Sequence, residues 1–110
     1  MAVTCTGADR EMVLTISGEV DHHGAGEIMR EMDRQVDAQL PRRLALDLSG
    51  VTFMDSSGVG MIIGRYKTMH ARGGSVAACG LQPPIDRLFH LAGLHRIIAI
   101  TETEGRETHE

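Results

Sequence analysis

Tryptophan is absent from the 110 residues, and one tyrosine and two phenylalanines make up the aromatic content. So little stacking surface excludes a platform for single-stranded nucleic acid. A formal net charge of −4 also excludes the broad basic face that phosphate backbones require. No apolar run approaches the roughly 20 residues of a membrane helix. Met1 to Thr6 carries neither a basic leader nor a long apolar stretch, so the expectation is no secretory signal, no membrane association and a cytoplasmic location. There are only two cysteines, Cys5 and Cys79, both in strand-like surroundings. They read as reduced core thiols, with a bridge as the alternative if their strands are neighbours. A chain of this length has room for one domain and one core.

What is present alternates between the two hydrophobic periods. Ala2 to Thr6 and Glu11 to Gly18 read as a hairpin joined by Gly7 to Arg10, with Met12, Leu14 and Ile16 facing one way. Asp21 then offers an N-cap for a helix whose apolar stripe is Ala25, Ile28, Met29, Met32, Val36 and Leu40, and Pro41 ends it. Leu44 to Leu48 is dense enough in apolar residues for an interior strand. A second helix follows Ser56 and Ser57, with Val59, Ile62, Ile63, Tyr66 and Met69 buried and Arg65, Lys67 and Arg72 opposite; Gly73-Gly74 stops it. Val76 to Cys79 is a short strand. Pro83-Pro84 opens a third helix with Ile85, Leu88, Phe89 and Ala92 on one side, closed by Gly93, and Arg96 to Thr101 reads as the last strand. Strands alternating with helices indicate an α/β fold over 1–101, with 102–110 a polar tail.

The chemistry concentrates at Asp55-Ser56-Ser57-Gly58, where the period changes from two to about 3.6. One reading is structural, a serine hydroxyl capping the helix. A second is a catalytic serine, but the nucleophile elbow needs glycine two residues before and after the serine, and Met54 precedes Ser56. A third is phosphorylation: a hydroxyl at a strand-to-helix junction can accept a phosphoryl group, adding about −1.5 to −2 charge. Free N–H groups and the helix dipole would tolerate that charge, and Asp55 beside it would extend the negative surface. Capping and phosphorylation remain level on spacing alone. Gly58, Gly60 and Gly64 miss the dinucleotide fingerprint by one residue and read instead as small residues allowing close helix–sheet approach. His22-His23 beside Asp21 lacks a third ligand at useful spacing, and His70, His90, His95 and His109 are scattered, so no metal and no cofactor are expected.

Four segments together resemble a known family: G-E-V-D-H-H at 18–23, F-M-D-S-S-G-V-G at 53–60, G-R-Y-K at 64–67 and R-L-F-H-L-A-G-L at 87–94. In this order they are similar to the anti-sigma factor antagonists of the STAS-domain family, most of all its sporulation-type members. The resemblance implies a single STAS domain: a mixed, mostly parallel sheet of about five strands with helices packed on one side. It implies a partner-switching regulator and not an enzyme. Such a protein binds an anti-sigma factor that is itself a serine kinase, thereby releasing a sigma factor for transcription. The kinase phosphorylates the first serine of D-S-S-G, here Ser56, and a serine phosphatase reverses this. Transferred by position, Asp21, Asp55, Ser56, Ser57 and Gly58 form the partner-binding surface. The same fold also implies an alternative, a scaffold or regulatory module in a stress-signalling or transporter assembly. Family members often continue into a further helix where this chain has only its short polar tail.

Overall fold

The computed structural model describes residues 2–8 and 10–101, so the polar tail at 102–110 lies outside the described residues. The strands are β1 (Ala2–Ala8), β2 (Glu11–Val20), β3 (Arg43–Met54), β4 (Ser75–Cys79) and β5 (Ala99–Thr101). The helices are α1 (Ala25–Gln39), α2 (Ser56–Ala71) and α3 (Pro83–Leu91), with a 3-10 turn at Leu94–Arg96 before β5. The expected last strand from Arg96 is therefore shorter, because Leu94 turns inward and is buried in the 3-10 segment.

The sheet order is β1-β2-β3-β4-β5. β1 pairs antiparallel with β2, and β2 through β5 are parallel. This is the mixed, mostly parallel five-stranded sheet that the resemblance implied, within the α/β class that the alternation of elements indicated. Each parallel neighbour is reached through a helix, and right-handed crossovers running in one direction along a sheet put every helix on the same face. The side chains agree: Met12, Leu14, Ile16, Leu44, Leu46, Leu48, Val76 and Ala78 join Ile28, Met32, Ile62 and Phe89 in one buried cluster. The alternate residues Ala45, Ala77 and Cys79 are buried but stand outside it. Because β2 and β3 separate β1 from β4, Cys5 and Cys79 lie about three strand spacings apart, roughly 14 Å, too far for a disulfide.

Two local departures from regular geometry shape the two ends of the sheet. β3 runs well past Leu48, and its register with β2 shifts between Thr15 and Ser17 and again between Gly18 and Glu19. At the first shift a side chain on residue 50 would meet Ser17 Cβ at 2.9 Å, so Gly50 permits the bulge. The shifts carry the ends of β2 and β3 together at Val20 and Met54. At the other end, Leu40 leaves α1 in the left-handed conformation (φ 48°) while its N–H donates to Val36 O at 2.7 Å. It is 61% exposed and does not belong to the buried stripe assigned to it. The helix stops one residue before it, since Pro41 cannot continue and disfavours helical geometry in its predecessor. Ala92, placed on the inner side of α3 by its spacing, is likewise exposed, because it sits at the helix C-cap.

Candidate functional site

The paired ends of β2 and β3 deliver two loops to one place. After Val20 the chain turns through Asp21, whose carbonyl oxygen accepts from Gly24 N–H at 3.1 Å and Ala25 N–H at 2.8 Å. Its carboxylate Oδ1 accepts from His23 N–H at 3.1 Å and Gly24 N–H at 3.0 Å. Asp21 thus organises the turn before the helix, whereas the N-cap position of α1 itself is held by Gly24. The expected Asp21 cap is displaced because the three turn residues 22–24 intervene before helical geometry begins.

Those hydrogen bonds to Gly24 and His23 hold the Asp21 carboxyl below its ordinary value. A depressed folded-state value means that the unfolded chain takes up this proton first. The contribution of the turn is therefore complete above the normal carboxylate range and is lost as pH falls through the lowered value. An NMR titration of the Asp21 carboxyl should give a midpoint below that of an unstructured aspartate. The His23 and Gly24 amide signals should move with the same midpoint.

After Met54, Asp55 takes the extended conformation of an N-cap, and its Oδ1 accepts from Ser57 N–H at 2.8 Å. Asp55, and neither serine, caps α2. The two serines occupy the first two positions of the helix. The other carboxylate oxygen of Asp55 reaches across to the first loop. Its Oδ2 accepts from His22 N–H at 3.2 Å, and the His22 Nδ1 lies 3.9 Å away. Asp55 N–H in turn donates to Val20 O at 3.2 Å. One residue thereby fastens the β2–α1 turn to the start of α2. No sequence signal points to His22 in this role, because the contact spans 33 positions and uses its backbone.

Ser56 is exposed and Ser57 is half-buried. The helix end behind them is largely satisfied, since Gly58 N–H and Val59 N–H both reach Asp55 O, at 3.0 and 3.3 Å. Of the first helical donors, Ser57 N–H and Gly58 N–H are thus taken up by Asp55. Gly58 is buried beside the strand ends, where an added Cβ would meet Met54 Cγ at 2.5 Å and Met54 Sδ and Val20 Cγ1 at 3.0 Å. Gly60 and Gly64, expected to serve the same close approach, have open space at that position. Gly58→Ala should lower stability by about 1–2 kcal/mol, overpacking outweighing the gain in helix propensity, as read from a urea midpoint.

The five residues that the resemblance assigns to a partner surface therefore adjoin one another: Asp21 in the β2–α1 turn, Asp55 at the cap of α2, and Ser56, Ser57 and the buried Gly58 in its first turn. Among the described residues no group of three or more His, Cys, Asp or Glu side chains could hold a metal ion. No helix among them is long and apolar enough to cross a membrane.

The sequence profile described as the STAS domain matches residues 2–107. The anti-sigma F factor antagonist of Paenibacillus polymyxa is 38% identical over 93 residues, covering 84% of this chain and 80% of the relative. The anti-sigma-B factor antagonist of Bacillus subtilis is 33% identical over 98 residues, 88% of either chain. The Bacillus cell fate determinant SpoIIAA, in its phosphorylated form, superimposes with a TM-score of 0.71 at 25% identity, covering 94% of both chains.

Proposed function

The chain belongs to the anti-sigma factor antagonists of the STAS-domain family, and from this premise we propose that it is a phosphorylation-controlled binding module. In its unmodified state it binds an anti-sigma factor that is a serine kinase, and a sigma factor is released. Phosphorylation of Ser56 by that kinase ends the association, and a serine phosphatase restores it. The chain is the substrate of an enzyme, with no catalysis of its own.

The observation that carries this reading is the exposed Ser56 at the first turn of α2, beside a cap that ties it to the Asp21 turn. Exposure favours Ser56 over half-buried Ser57. The double fastening by Asp55 favours a rigid surface: the acceptor hydroxyl is held in one place relative to Asp21, so little ordering entropy is lost when a partner docks. In the transfer, Ser56 Oγ forms the new bond to the γ-phosphorus of ATP, ADP leaves, and the hydroxyl proton passes to the kinase. A dianionic group then stands where Asp55 already contributes a carboxylate, and the partner would have to desolvate both. Incubation with the cognate anti-sigma kinase and ATP, followed by mapping of the modified peptide, tests the assignment. Phosphate on Ser57 or elsewhere would refute it.

A further inference from the structure

Two large apolar side chains stand out in solvent close to this turn: Phe53 is 48% exposed and Leu91 is 81% exposed. Both line a single groove of about 300 Å³ between the end of β3 and α3, together with Met54, Pro84, Leu88 and Arg87. Apolar residues gathered in one concave place, unlike a scattered exposed leucine, mark a contact surface.

Two observations indicate what covers it. The groove is continuous with the serine turn, because Met54 is one of its walls and is also the side chain against which Gly58 packs. Phe53 is three residues before Ser56, at most about 10 Å along the chain. A protein placing its active site over Ser56 covers roughly 800 Å² of its partner, enough to reach the groove. Second, Arg87 at the groove has no ion-pair partner among the described residues. The face around Ser56 is therefore bipolar, with Asp21 and Asp55 on one loop pair and an uncompensated guanidinium at the groove. Such a pattern fixes the orientation of a docked protein. The chain's own segment 102–110, E-T-E-G-R-E-T-H-E, has no apolar anchor to offer.

We propose that the anti-sigma kinase seats an apolar side chain, flanked by a carboxylate, in the groove of Phe53, Leu88 and Leu91, with Arg87 meeting the carboxylate. This rests on the reading of Ser56 as the kinase's substrate. The contact is a docking determinant apart from the acceptor hydroxyl, so it governs how tightly the substrate is held and leaves phosphoryl transfer itself alone.

The test uses the full chain carrying Leu91→Glu or Arg87→Glu, both at exposed positions, with the cognate kinase and ATP. Each should raise KM for the protein substrate at least about tenfold, with kcat within about twofold of the parent. Leu40→Glu, an exposed position at the opposite end of β3, should change neither. If the parent is phosphorylated at Ser56 and both groove variants keep its KM, the groove is not the docking site and the Ser56 reading survives. If the parent is not phosphorylated at all, the underlying reading fails. Sedimentation of the protein alone adds a further outcome: a dimer abolished by Leu91→Glu, with KM unchanged, would make a second copy the occupant and overturn the proposal.

Discussion

Ser56→Ala is expected to bind the anti-sigma kinase as tightly as the parent chain and to take up no phosphate, while Ser56→Asp binds about 30-fold more weakly. The asymmetry follows from the site's electrostatics. Removing the hydroxyl takes away an exposed group that bonds to nothing else among the described residues, because the capping is done by Asp55. Adding a carboxylate puts a second negative charge beside Asp55, whose own oxygens are already engaged by Ser57 and His22 N–H groups. A like-charge and desolvation cost of about 2 kcal/mol corresponds to that factor of 30. Titration calorimetry with the kinase in the presence of ADP reads it directly. Equal affinity of the two variants would sink the charge mechanism. Stability offers a control, since neither substitution removes the cap and both should unfold within about 0.5 kcal/mol of the parent.

The second large effect lies between α1 and α2. Arg65 is 8% exposed on the inner side of α2, with Nε 3.1 Å from Asp33 Oδ1. The approach is an ion pair without hydrogen-bond alignment, and both Nε and Nη1 are buried with no hydrogen-bond partner. Taking away the carboxylate strands a buried cation, whereas taking away the cation removes the problem. Asp33→Ala should therefore cost about 2 kcal/mol, less than for a fully buried pair because Asp33 is partly in water. Arg65→Met should be neutral or stabilising by about 1 kcal/mol, and Asp33→Ala made in that background should cost almost nothing. Urea midpoints of the four proteins close the cycle. A loss of stability for Arg65→Met equal to that for Asp33→Ala would show that the pair is a net support.

Arg65 also shows where sequence patterning is sufficient and where it is overruled. The buried positions of α2 include 58, 61, 62, 65 and 69, a helical stripe in which residue 65 has its proper place. Its charge argues for solvent, and the expected stripe is rotated toward Ile63 and Tyr66, both of which are only partly buried. Periodicity is right and residue type misleading, because α1 supplies a carboxylate across the helix pair that no local pattern reveals. The sheet is legible because β2 alternates between buried and partly exposed residues while β3 and β4 carry the near-continuous apolar runs of interior strands. The serine turn is legible as a place, through its change of period and its motif. Who caps whom is not, since Asp55 and His22 meet through the ends of two strands brought level by the bulges near Gly50. The groove is invisible for a related reason: Phe53 and Leu91 belong to separate elements, and each reads alone as an ordinary core residue.

The strand order β1-β2-β3-β4-β5 has a consequence for how this chain acquires its structure. Every strand lies beside its neighbour in sequence, so no strand has to be inserted between two that have already paired. Each helix and strand emerging from the ribosome can dock on the edge left by the one before, and loop-closure entropy is spent in small instalments. The serine turn, at the junction of β3 and α2, would be formed before β4 is synthesised. Nascent chains ending shortly after α2 should already show the turn's amide protection, whereas the three residues of β5 join last and are the first to open.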